Sequence, residues 1–332
     1  MHYVTCRNRH CPTCQSQASA RWIEARHADL LPIPYFHVVF TLPHALNPLA
    51  QGNPRVIYTR LFRAAANTLL TFGRDPRHLG GTIGITAILH TWSQTLTQHL
   101  HVHCLVTGGA LSSDRTRWIR GRASFLFPVK ALSLVFRAKY LAALEQAFAH
   151  GDLTFAAGTA PLAEPAGFAA LITQLKATPW VVYAKRPFGG PEHVLRYLGR
   201  YTHRIAISNA RLMSLVDGVV QFRWKDYADH GRTKTMALGV EEFLRRFLVH
   251  ILPRGFVRIR HFGLLANAQR RATIAHARSL LMAPTPTTSS DDRPGTDGDR
   301  SRCPVCHHGH WQVMEILRPL LPPFGTVTPD TS

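Results

Sequence analysis

Acidic residues are scarce in this chain. Its 332 residues hold 19 Asp and Glu against 39 Lys and Arg, a formal net charge of +20 before 20 histidines are counted. So large an imbalance calls for a polyanionic partner, most simply nucleic acid, with an anionic membrane surface as the other candidate. Long apolar runs are missing as well. No stretch approaches the roughly 18 residues that span a bilayer, so a transmembrane helix is excluded. Cys6 and Arg7 interrupt the N-terminus too early for a secretory signal, which leaves a soluble, intracellular protein with no membrane partner. Cysteines number only six, five of them in terminal clusters: Cys6, Cys11 and Cys14, then Cys303 and Cys306. In such a chain Cys-x-x-Cys spacing favours a metal over a disulfide framework. A Gly-Lys-Ser/Thr phosphate loop is also lacking, so neither ATP dependence nor a nucleotide cofactor has support.

What is present centres on Gln98-His99-Leu100-His101-Val102-His103-Cys104-Leu105-Val106, closed by Gly108-Gly109. Alternation with period two predicts a strand with His99, His101 and His103 on one face. Gathering imidazoles that repel when charged is most simply explained by a shared cation. A strand rises ~3.3 Å per residue, so His99 and His103 stand ~13 Å apart and cannot grip one ion together. Only a neighbouring pair can, and His101 belongs to both pairs.

At this length the chain accommodates one large domain with an appendage, or two domains. Cys11-Pro-Thr-Cys14 reads as a zinc knuckle, with Cys6 and His10 as further ligands. A helix is predicted over 16–31 and a strand from Phe36 to Leu42, stopped by Pro43. Apolar residues at helical period mark a helix over 54–72. A strand near Ile83–Trp92 is expected to pair with the histidine strand. Helices follow at about 129–150 and 165–176, then a strand over Trp180–Lys185.

Pro191 suits the first turn of a helix that carries Tyr197 and Tyr201 at i and i+4, with Arg200, His203 and Arg204 beside them. Residues 211–238 read as a β-meander turning at Asp217-Gly218. In its strand Val220–Lys225 one face carries Val220, Phe222 and Trp224, the other Gln221, Arg223 and Lys225. The basic face suits phosphates, and Lys234 further along the meander is a like candidate. A short helix over 241–250 precedes Arg254-Gly-Phe-Val-Arg258-Ile-Arg260-His261, a basic segment whose aromatics suit stacking on single-stranded bases. A helix over 264–282 leads into a Pro-, Ser- and Asp-rich linker, a Cys303-Pro-Val-Cys306 knuckle and a tail.

Histidines on a strand and tyrosines on a helix, inside a very basic chain, need one explanation. A cation held by imidazoles polarises a scissile phosphate. A tyrosine phenolate attacks it, storing the phosphoester bond as phosphotyrosine so that rejoining needs no ATP. Two tyrosines permit two successive strand transfers.

These segments resemble the HUH superfamily of single-strand endonucleases, in which a hydrophobic residue separates two histidines. More narrowly, the chain is similar to the insertion sequence 91 family of two-tyrosine, rolling-circle transposases. The resemblance runs through Cys6-Arg-Asn-Arg-His-Cys-Pro-x-Cys14, Pro34-Tyr-Phe-His-Val-Val-Phe-Thr-Leu-Pro43, His99-x-His-x-His103, Tyr197-Leu-Gly-Arg-Tyr-Thr-His-Arg204, Arg258-Ile-Arg-His-Phe-Gly263 and the Cys303/Cys306 knuckle.

The resemblance implies an α+β fold, in which an HUH-type antiparallel palm flanked by helices carries small Cys-rich zinc-knuckle modules at the termini. It divides the chain into a partial zinc module over 1–34, a catalytic domain over 35–265, and a C-terminal helix, linker and knuckle over 266–332. It makes His101 and His103 metal ligands for Mg²⁺ or Mn²⁺, with Gln94 as third ligand and His99 as runner-up, and Tyr197 and Tyr201 the nucleophiles. Zn²⁺ belongs to the Cys clusters, and DNA, mainly single-stranded at element ends, is the partner in a bacterial, nucleoid-associated cytoplasmic setting. Further cysteines normally precede the segment matching Cys6, so the N-terminal zinc site is expected to be incomplete. A plasmid replication initiator or relaxase would use the same chemistry, and a non-catalytic DNA-binding remnant is the reading from another class.

Overall fold

The computed structural model of the chain describes residues 12–27, 29–122, 124, 126–185, 199 and 206–282. These run through α1 (Pro12–His27), β1 (Tyr35–Thr41), α2 (Asn47–Gly52), α3 (Pro54–Arg74), β2 (Gly81–Thr82), β3 (Gly84–Trp92), β4 (Gln98–Thr107), β5 (Gly109–Ser112) and β6 (Trp118–Arg120). Then come α4 (Val129–Ala149), α5 (Pro165–Ala177), β7 (Val182–Lys185), β8 (Leu212–Val216), β9 (Val219–Asp226), β10 (Arg232–Gly239), α6 (Val240–Leu248), β11 (Ile259–Gly263) and α7 (Arg270–Met282). The class is α+β with antiparallel sheets, as expected. The first helix lies earlier than its predicted span, because a turn at Asp29 stops it before Leu30.

The histidine strand β4 is the middle strand of a five-stranded sheet ordered β11-β3-β4-β1-β7, with every pairing antiparallel. Side chains alternate across such strands, which gives the sheet two unlike faces. Val38 and Phe40 of β1, Ala87 and Leu89 of β3, and Val102, Cys104 and Val106 of β4 enter the main core with α3, α4 and α5. Their partners there include Leu61, Phe62, Phe136, Leu144 and Leu175, all buried. The odd-numbered positions of β1 and β4 face the other way. Near the Tyr35 end that face is closed by Leu31, Ile33, Leu264, Leu265 and by Ile274 and Ala277 of α7, packed on Ile88 and Leu105.

Pairing between β3 and β4 is not uniform. Trp92 opposes Gln98 while His90 opposes His101, so β4 sets two residues, His99 and Leu100, against Thr91. That is a β-bulge, and it decides which side chains meet beyond it. At its far end β4 turns sharply: Gly108 N–H donates to the Pro34 carbonyl at 2.8 Å. A Cβ on Gly108 would stand 2.7 Å from that same oxygen, so glycine is required by the close approach.

A second antiparallel sheet, β10-β9-β8, is the predicted meander. Its hairpin has positive φ at both Asp217 (48°) and Gly218 (72°), the twist a two-residue hairpin needs. Val220 and Phe222 are buried and Trp224 partly so, while Gln221, Arg223 and Lys225 are exposed, as the alternation required. Phe222 packs with Trp92, Leu96 and Ile207, and with Phe243 and Phe247 of α6.

Candidate metal centre

His101 and His103 project from β4 onto the face not covered by α3 and α4, beside Thr41 and Val39 of β1. The bulge brings His90 of β3 directly opposite His101. One nitrogen from each of His90, His101 and His103 lies within 4.8 Å of the other two, the only His, Cys, Asp or Glu grouping of this kind among the described residues. All three rings are at most 2% exposed. Rings of His90 and His103 stand 4.3 Å apart between centroids, and Trp92 stacks on His90 at 4.7 Å.

Burial governs the electrostatics. Loss of solvent lowers the pKa of His101 to about 3, with His99 adding to it, and pushes His103 well below the ordinary imidazole range. Uncharged imidazoles are what a cation requires, since ligation uses the nitrogen lone pair. His101 Nδ1 lies 3.0 Å from the carbonyl oxygen of His99, to which it can only donate. Its Nε2 is buried with no hydrogen-bond partner. A buried polar atom left unpaired costs roughly 1–3 kcal/mol, a cost that a bound cation removes. The donor set fits a divalent transition ion, for which imidazole is a good ligand.

The other two expected ligands, His99 and Gln94, make contacts of their own. His99 stays beside His101 but sets its Nδ1 2.9 Å from Nε2 of His44. Gln94 lies in the turn between β3 and β4, where its carbonyl oxygen accepts from the Arg211 guanidinium. His90 is the residue the sequence reading missed. Its signal was there, a histidine on the strand expected to pair with β4, but the bulge that sets its register is not legible as a pattern.

A fourth histidine touches the centre. His37 of β1, 3% exposed, sets Nε2 2.8 Å from Nδ1 of His103. Desolvation, helped by Lys185, takes its pKa to about 3.

Among the expected DNA contacts, Arg223 and Lys225 are exposed on β9. Lys234 is held by Asp226 at 2.7 Å and Asp229 at 3.0 Å. Arg260 lies over the rings of Phe62 (4.6 Å) and Phe256 (5.0 Å) and donates to Thr59. Phe256 is 5% exposed in the main core, so it offers no platform for a base. Arg258 is half-buried ahead of β11. Tyr197, Tyr201, Arg200, His203, Arg204, Cys6, His10, Cys11, Cys303 and Cys306 lie outside the described residues, as does the side chain of Cys14 in α1.

A buried His-hydrophobic-His pair on the middle strand of an antiparallel sheet defines a candidate cation-binding protein, and a chain this basic suits a polyanionic partner. The family follows from comparison. A family model described as "Putative transposase" matches residues 84–272, more than half of the chain, and one described as "Transposase zinc-binding domain" matches residues 1–42. "Putative transposase y4qJ" of Sinorhizobium fredii (strain NBRC 101917 / NGR234) is 48% identical over 324 residues, covering 95% of this chain and 81% of its own. The transposase for insertion sequence element IS801 of Pseudomonas savastanoi pv. phaseolicola is 30% identical over 267 residues, covering 79% of this chain and 62% of its own. This chain belongs to the insertion sequence 91 family of transposases: it is a DNA transposase with a zinc-binding domain at its N-terminal end. The conjugative relaxase TrwC in complex with oriT DNA aligns with 50% of this chain and 71% of its own, at 13% identity and a TM-score of 0.27, too low to bear on the fold. No helix among the described residues is long and apolar enough to cross a membrane.

Proposed function

We propose that this transposase nicks and rejoins single-stranded DNA at the ends of a mobile element, by rolling-circle transposition, with Tyr197 and Tyr201 as nucleophiles and a divalent cation held by His90, His101 and His103. The observation that carries the reading is the three-histidine centre, whose nitrogens lie within 4.8 Å of one another in a chain of this family. When bound, Mn²⁺ or Mg²⁺ would polarise the scissile phosphate and offset the charge that develops on it. Three imidazoles favour the softer Mn²⁺ of the two.

The chain's own residues supply the rest. One tyrosine, as phenolate, attacks the phosphorus; the P–O bond to the 3′ oxygen breaks, and the 5′ phosphate is left on the phenolic oxygen. Because one phosphoester replaces another, a 3′ hydroxyl can later reverse the exchange and join a strand without ATP. The second tyrosine allows a second strand to be cut while the first is still held. Arg200, His203 and Arg204 beside the tyrosines, with Arg223 and Lys225 of β9, are proposed to hold phosphates. The Cys6, His10, Cys11 and Cys14 group, within the segment matching the zinc-binding domain, and Cys303 with Cys306 are proposed as Zn²⁺ sites.

The test is incubation of the protein with labelled single-stranded DNA from the element's end and Mn²⁺, followed by a denaturing gel. A covalent protein–DNA band is expected, absent from the Tyr197→Phe/Tyr201→Phe double variant. DNA bound without that band, on a substrate that a related transposase cleaves, would leave the chain a DNA-binding protein only.

A further inference from the structure

We propose that His37 is a positioning residue of the histidine centre: it accepts the Nδ1–H of His103 and so fixes the ring that presents Nε2 to the cation. This inference rests on the proposed cation at His90, His101 and His103.

A neutral imidazole has one N–H and one lone pair, and a ligand must aim the lone pair at the metal. For His101 the backbone settles the matter. Its Nδ1 faces the His99 carbonyl, which only accepts, so the proton sits on Nδ1 and the lone pair on the unpartnered Nε2. His103 differs in its partner. Its Nδ1 faces another imidazole nitrogen, Nε2 of His37, at 2.8 Å, and either ring could donate. Only one arrangement leaves Nε2 of His103 with a lone pair: His103 donates from Nδ1, His37 accepts at Nε2 and keeps its own proton on Nδ1.

The geometry suits that bond. The two ring planes are within 7° of parallel with centroids 5.0 Å apart, while the facing nitrogens are far closer, so the rings meet edge to edge. His37 reaches His103 from a neighbouring strand, because the register puts Val39, not His37, directly opposite it. His37 is not itself a ligand in this arrangement. It contacts the Nδ1 side of His103, and Nε2 is the nitrogen on the other side of that ring. Partners of this kind set the tautomer and orientation of metal-bound histidines, and losing one costs about 10–100-fold in metal affinity.

The experiment titrates Mn²⁺ alone into the full chain, following the free-ion electron paramagnetic resonance signal, for wild type, His37→Phe and His37→Gln. His37→Phe is expected to bind Mn²⁺ about 10–100-fold more weakly. His37→Gln, whose amide oxygen accepts a hydrogen bond, is expected to recover most of that loss. Metal-free melting curves identify which variants fold. A folded His37→Phe with wild-type affinity overturns the proposal, as does a folded His37→Gln as weak as the phenylalanine variant. Nitrogen-15 shifts of the metal-free wild type give a second measurement that needs no variant: protons on Nδ1 of both His103 and His37 support the proposal, and a proton on Nε2 of His103 overturns it. Wild type that binds no Mn²⁺ overturns the cation reading itself, and this inference with it.

Discussion

The two faces of the central sheet are built from the same strands and do opposite things. On the helical side Val38, Phe40, Ala87, Leu89, Val102 and Cys104 are buried against α3, α4 and α5 without polar side chains among them. On the other side His37, Thr41, Thr86, His90, His101 and His103 are nearly as deeply buried, at 1–6% exposure, yet all are polar. Apolar burial stabilises by roughly 25 cal/mol per Å², whereas buried polar groups cost free energy unless each is bonded. One period-two alternation thus divides the strands' labour: the helical face is apolar throughout, while the other pairs an apolar patch around Ile88 and Leu105 with a cluster of buried histidines.

The largest effect should come from the helical side. Phe40 is fully buried and lies 4.9 Å from the Phe136 ring between centroids. Phe40→Ala is expected to cost about 3–5 kcal/mol, because the cavity adds to the lost transfer energy. Denaturant unfolding checks it; a loss under about 1 kcal/mol, the scale of a surface change, would break the comparison.

His101→Ala should separate the faces from the other direction. Adduct formation on single-stranded DNA is expected to fall by about 10² or more, the scale of losing one stabiliser of transition-state charge. Metal-free stability should fall less than in Phe40→Ala, since the change also removes an unpaired buried nitrogen. Full cleavage in this variant removes His101 from the chemistry.

A smaller effect is expected from the metal itself. A ligand present at a hundred times its Kd stabilises the folded state by about 2.7 kcal/mol, so Mn²⁺ should raise the Tm of wild type and a chelator should reverse it. His90→Ala should show little of that rise. An equal rise in the variant would take His90 out of the centre and return the third position to Gln94 or His99.

The long helices, strands β1, β3, β4 and β7, the pairing of β3 with β4, the meander and the alternating faces of β9 follow from local periodicity and turn residues; β11, read as a basic segment, and the short β2, β5, β6 and α2 do not. His101 and His103 were legible because both lie on one strand. His90 was not, because its place depends on two residues of β4 opposing one of β3, and a bulge has no periodic signature. Phe256 misled for a related reason. Next to arginines it reads as a stacking surface, but its neighbours in space are Tyr58 and Phe62 of α3, some two hundred residues earlier. Long-range packing decides between core and surface for an aromatic, and sequence spacing does not carry it.

The smallest expected effect tests the meander, where the two-face rule recurs on β9. Arg223 and Lys225 are exposed beside a buried Phe222, whereas Lys234 on the neighbouring strand is already engaged by Asp226 and Asp229. A lysine paired with two carboxylates has less charge to offer a phosphate, and exposed ion pairs of this kind contribute little to stability, about 0–1 kcal/mol. Arg223→Ala and Lys225→Ala should therefore each lower the slope of log affinity against log salt by about 0.7 on single-stranded DNA, as loss of one phosphate contact does. Lys234→Ala should change that slope less. Equal slopes for all three variants would mean that the exposed face of β9 is merely solvated, and that phosphates are held elsewhere in the chain.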